Sequence, residues 1–130
     1  MKITKEFLNT IQTESQLIDV LNKYTDFLPS HWIIISSFSF LSENFIRKFK
    51  EKVDWYRISI HQKLSENFIR EHKDKVNWNI ISQYQKLSEN FINEFKDKVN
   101  WNNISIHQTL SENFMSQLVP KTINVFGTNV

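Results

Sequence analysis

The sequence predicts an all-α domain, a short α-solenoid of stacked helix pairs with a 23-residue repeat and irregular capping ends. Three observations carry this prediction. Leu-Ser-Glu-Asn-Phe followed by Ile or Met begins at Leu41, Leu64, Leu87 and Leu110, stepping by 23 residues. Tryptophan stands at Trp32, Trp55, Trp78 and Trp101 with the same step. Each interval holds two helix starts and no alternating pattern that would suit a strand. Residues 1–130 read as one domain. It divides into divergent N-terminal helices over 1–40, three full copies over 41–109, a truncated copy over 110–118 and a tail over 119–130.

In the N-terminal part, Ile3-Thr4-Lys5-Glu6-Phe7-Leu8 resembles the Leu-Ser-Glu-Asn-Phe-Ile opening, with Thr4 as cap and Ile3 and Leu8 as a hydrophobic staple. It lies 38 residues before Leu41, which is not a multiple of the period, so something is inserted. Thr13-Glu14-Ser15-Gln16 is a capping box that starts a helix from Glu14 to Tyr24. Trp32 keeps the tryptophan register and is expected to begin a helix reaching Phe40.

Within the first full copy, Ser42 is a good N-cap, because its hydroxyl can accept from a first-turn N–H that has no intrahelical partner. Leu41 and Ile46 then occupy the staple positions, and Phe45, Ile46, Phe49 and Val53 share one helical face. The second helix repeats the device with Val53, Asp54 and Ile58, and later copies with Val76, Asn77, Ile81 and Val99, Asn100, Ile104. Trp55, Ile58, Ser59 and Gln62 line its inner face. The expected unit is a pair of helices of about 8–11 residues, too short to persist alone and stable only against their neighbours. At the far end Pro120 should stop the last helix near Leu118, and the tail reads as extended around 123–126.

Of the 23 positions, 13 are identical in all three full copies, including Leu41, Phe45, Ile46, Val53, Trp55 and Ile58 with their counterparts, the expected buried residues, and the serine caps. The positions that differ are expected to be free of packing. Ser59, Ser82 and Ser105, with Gln62, Gln85 and Gln108, fall on the buried stripe, where a small hydroxyl allows close approach and an amide can bond loop backbone.

The phrase Leu-Ser-Glu-Asn-Phe-Ile-x-x-Phe-Lys-Asp-Lys-Val-Asn-Trp-x-x-Ile-Ser-x-x-Gln resembles short helical repeats in proteins of giant DNA viruses and some bacteriophages. The resemblance covers 41–118 closely and 32–40 loosely. It implies a virus- or phage-encoded protein acting on a partner, and it brings no catalytic residues with it.

Composition narrows the function class. Sixteen basic against 14 acidic side chains leave a net charge of +2, which argues against strong general affinity for polyanions. The absence of cysteine removes thiolate metal sites and thiol catalysis, and a single glycine excludes Gly-rich phosphate loops. The N-terminus lacks the apolar core of a secretion signal, and the most hydrophobic stretch, 27–38, is interrupted by Pro29 and His31. A cytoplasmic protein with no membrane contact is expected. His31, His61, His72 and His107 show no metal-ligand spacing, so no metal, no cofactor and no enzymatic activity are expected.

What remains is binding. The tryptophans could serve as stacking platforms for bases, but their period and invariance favour a packed ladder. Lys50, Lys73, Lys96 and Lys52, Lys75, Lys98 form two basic registers that could follow a phosphate backbone. Glu51, Asp74 and Asp97 interleave with them, and Glu43, Glu66, Glu89 and Glu112 form an acidic ladder, so a solvated, ion-paired face is favoured. Exposed Ile and Tyr beside Arg are interface-like, which selects Tyr56, Arg57, Ile60, Ile80, Asn103 and Ile106 as partner-binding residues. The expected function is non-catalytic protein binding, for example inhibition of a host factor by an anti-CRISPR-like protein. Nucleic-acid binding by the lysine registers is the runner-up, and self-assembly into a homo-oligomer the third alternative.

Overall fold

The computed structural model describes residues 2–118. Among them are ten helices and no strand: α1 (Lys5–Leu8), α2 (Glu14–Lys23), α3 (Pro29–Ser36), α4 (Glu43–Lys48), α5 (Trp55–His61), α6 (Glu66–Glu71), α7 (Trp78–Tyr84), α8 (Glu89–Glu94), α9 (Trp101–His107) and α10 (Glu112–Leu118). The expected tail strand at 123–126 lies outside the described residues.

Each start follows from its cap. The Ser42, Ser65 and Ser88 hydroxyls accept from the N–H of Phe45, Phe68 and Phe91, while Asp54, Asn77 and Asn100 accept from Arg57, Ile80 and Asn103. These helices are only six or seven residues long, shorter than the expected eight or more. The reason lies in the turn between them: Phe49 O accepts from both Lys52 N–H and Val53 N–H, closing the chain before Asp54 restarts it. The same closure recurs at His72 and Phe95.

Helices α1, α3, α5, α7 and α9 pack side by side in that order and form one row. The first helix of each copy lies outside this row. Between the two sets runs the core: Phe45, Phe68, Phe91 and Phe114, with Ile46, Ile69 and Ile92 and with Ile58, Ile81 and Ile104, all buried. At roughly 1.5–3 kcal/mol per buried large apolar side chain, this repeated set is what makes such short helices stable.

Two N-terminal expectations are corrected. Although 3–8 resembles the opening of a first helix, α1 packs on α3 and so stands in the row of second helices. Its Thr4 cap and its buried Ile3 and Leu8 are as expected. Further on, α3 runs over Pro29–Ser36, not from Trp32 to Phe40. Pro29 at the first helical position presets the backbone, and His31 Nδ1 accepts the Leu28 N–H at 2.9 Å, which moves the start upstream. Its end is set by Gln62, whose amide Nε2 donates to the carbonyls of Ser36 and Phe38.

Candidate partner-binding face

Most of the polar residues that recur turn inward or across to the next copy. Glu43 accepts both the N–H and the hydroxyl of Ser65, at 2.7 and 3.0 Å, and Glu66 does the same for Ser88. Glu89 clamps Ser111 likewise. Glu14 plays this part for Ser42, so α2 supplies the missing first helix in front of the first copy. The expected acidic ladder is therefore, through Glu43, Glu66 and Glu89, a set of clamps between copies rather than a row of solvated charges.

In the helix row, Ser59 Oγ accepts the Asn77 N–H at 3.2 Å and Ser82 Oγ accepts the Asn100 N–H at 2.9 Å. Gln85 donates to Ser59 O and Gln62 O and accepts from Leu64 N–H, and Gln108 repeats all three bonds one copy later. The indoles seal the turns. Trp55, Trp78 and Trp101 each donate Nε1–H at 2.9 Å to the carbonyl of the lysine five residues earlier. Trp55 stacks on Phe68 and His72 of the following copy, and Trp78 stacks on Phe91 and packs at a tilt against Phe95. Trp32 is buried and the other three indoles are half-buried, packed against the core. None is an open platform for a base.

Two of the positions that differ between copies also prove to be coupled, against the expectation that they are free. Arg47 makes a two-pronged pair with Glu71, both bonds at 3.0 Å, and Arg70 does so with Glu94 at 2.8 Å. The guanidinium hydrogen bonds hold the Glu71 and Glu94 carboxyls below the ordinary carboxylate range, with burial opposing the shift. Lys48, at the position of Glu71 in the preceding copy, has no arginine before it at the matching position.

The lysine registers split. Lys50, Lys52, Lys73, Lys96 and Lys98 are exposed, whereas Lys75 pairs with Glu51 across copies at 3.2 Å. The carbonyls of Lys50, Lys73 and Lys96 receive the indole N–H groups, so these lysines mark turns that the core needs.

The residues expected to bind a partner fall on the outer side of the helix row. Tyr56 is 47% exposed and Ile106 is 65% exposed, while Arg57, Ile60 and Ile80 are half-buried between them. The Arg57 guanidinium lies over the Tyr56 ring, 5.7 Å from its centroid. Asn103 is engaged internally: its amide donates to Asn79 O at 3.0 Å. Two residues of this face were missed. Ile33 on α3 shares the repeat position of Tyr56, and Tyr84 on α7 shares that of His61. They are 39% and 55% exposed; carrying Tyr56 back by one period reaches Ile33, whereas Tyr84 stands in the register of His61 and His107, which no chosen position shares.

The face is also chemically one-sided. Helices α3, α5, α7 and α9 contain no aspartate or glutamate. Where their C-terminal ends meet the next loop, two equivalent grooves open, one lined by His61, Lys63, Tyr84 and Lys86 and the next by Tyr84, Lys86 and His107. No group of three His, Asp or Glu side chains converges among the described residues, and none of the described helices is long and apolar enough to cross a membrane. Comparison with protein-family models, with curated proteins and with solved structures finds no match to this chain.

Proposed function

We propose that the protein is a non-catalytic binding module, a short α-solenoid that docks another protein on the outer side of the row α3, α5, α7 and α9. The observation that carries this reading is the distribution of exposed large hydrophobic side chains. Among the described residues, Ile33, Tyr56, Tyr84 and Ile106 stand one on each of the four row helices, whereas Leu28 precedes α3 and Met115 stands on α10. Exposed apolar side chains gathered on one side of a polar surface mark an interaction site, and the Tyr56–Arg57 pair supplies the residue types that anchor interfaces. The resemblance to virus-borne repeats favours a viral or phage protein that inhibits a host factor by occupancy, in the cytoplasm of that host, as an anti-CRISPR-like inhibitor would.

The test is a pull-down from host lysate read by mass spectrometry, run with two variants. Arg57→Ala/Ile80→Asp/Ile106→Asp should lose the recovered protein, and Lys50→Glu/Lys73→Glu/Lys96→Glu should keep it. Recovery of nucleic acid alone, abolished by the lysine variant, would replace this reading with the runner-up.

A further inference from the structure

We infer that the outer side of this helix row accepts an acidic, apolar-anchored peptide segment, an amphipathic helix of the partner with carboxylates beside its anchoring residues. The inference rests on the proposed protein-docking role of this face and adds the chemistry of what docks there.

Charge is the first argument. The face carries Arg57 and, at its edge, Lys63 and Lys86, and its four helices hold no carboxylate to balance them. Asp54, the cap of α5, and Glu43, at the margin of the first groove, keep their negative charge while accepting from neutral donors, the Arg57 backbone N–H and both donors of Ser65. Arg57, Lys63 and Lys86 outnumber these two marginal carboxylates, so the face favours an incoming carboxylate over a basic segment.

Shape and chemistry argue further. Four helices side by side at roughly 8–10 Å spacing make a face about 24–30 Å long. A helix of about 16–20 residues spans that length at 1.5 Å per residue. Ile33, Ile60, Ile80 and Ile106 offer aliphatic contact, suited to Leu or Phe anchors and of little use for stacking bases. A nucleic-acid strand would present one phosphate per ~3.4 Å, far more charge than three cations can match.

The experiment pans a random 18-residue peptide display library on the immobilised full chain. Dissociation constants of the enriched peptides are then measured against the chain and its variants. Enriched peptides should be net negative with spaced Leu, Phe or Trp. Replacing their Asp and Glu by Asn and Gln should weaken binding by about 10-fold, the equivalent of one charge-assisted contact. Arg57→Ala and Lys86→Ala should each weaken the acidic peptide more than its amide version. Ile106→Asp, at an exposed position, should weaken both. Enriched peptides without an acidic bias, still lost with Ile106→Asp, would overturn the charge assignment and leave the docking face standing. Failure to enrich any peptide, with an 18-residue oligo(dT) bound instead, would overturn both.

Discussion

The Glu43 carboxylate receives the backbone N–H and the hydroxyl of Ser65, 22 residues further on, so the cap that starts α6 is held by the first turn of α4, the equivalent helix one copy earlier. Ser65 in turn accepts the Phe68 N–H at 3.1 Å. One side chain therefore links local helix initiation to the contact between copies. Replacing Glu66, the equivalent residue in the next copy, by Ala should cost about 1.5–3 kcal/mol, the range for hydrogen bonds to charged groups. Asp97→Ala, at an exposed turn position, should cost less than ~0.5 kcal/mol, as surface substitutions do. Urea unfolding of the two variants checks the difference.

Gln85 should be more sensitive. It is buried and bridges the end of α5 to the loop that enters α6 through Ser59 O, Gln62 O and Leu64 N–H. Gln85→Leu removes the amide and leaves those backbone groups without it, at roughly 1–3 kcal/mol per unsatisfied buried group. A loss of several kcal/mol is expected by chemical denaturation, and a change below ~1 kcal/mol would contradict the bridge.

His72 sits where the neighbouring copies have Phe49 and Phe95. It stacks on Phe68 at 4.3 Å and on Trp55 at 5.2 Å, with Nδ1 2.9 Å from Phe68 O. The position wants a flat aromatic ring, so His72→Phe should change stability by less than ~1.5 kcal/mol, as shape-conserving core exchanges do. His72→Ala, which opens a cavity under Trp55, should cost about 2–4 kcal/mol and shift the tryptophan emission to the red.

The arginine pairs predict a pH response of defined sign. Because Glu71 and Glu94 have their carboxyl pKa lowered by Arg47 and Arg70, the stabilisation is complete above the ordinary carboxylate range and is lost as pH falls through the depressed values. Glu71→Gln/Glu94→Gln should melt below the wild type at neutral pH and converge with it in acid. The gap should also narrow in high salt, as the pairs are solvent-exposed. A constant gap across pH would exclude the carboxylates as its source.

Much of this architecture is legible in the sequence, because capping and stapling are local. Ser42, Asp54 and their counterparts name the helix starts, and the invariant Phe, Ile and Val residues name the core. The errors lie where a long-range bond decides. Glu43 reads as a surface charge until Ser65 is seen beside it, and Arg47 reads as a drifting position until Glu71 is. The true start of α3 depends on a His31–Leu28 bond that no period reveals, and α1 mimics one kind of helix while packing as the other. The proposed face is legible only in part: Tyr56 leads back one period to Ile33, whereas Tyr84 stands in a register that the other copies fill with His61 and His107.

The bonds between copies make the most direct test possible. Deleting residues 64–86 removes one period and should let Glu43 clamp Ser88, Arg47 pair with Glu94, Trp55 stack on Phe91 and Phe95, and Gln108 bridge to Ser59 and Gln62. Circular dichroism and thermal melting of this deletion should show a helical protein with a cooperative transition at lower temperature, whereas deletion of 64–83 alone should not fold. If the 23-residue deletion loses its cooperative transition, or fares no better than the shorter one, the copies are not held together by the repeated contacts described above.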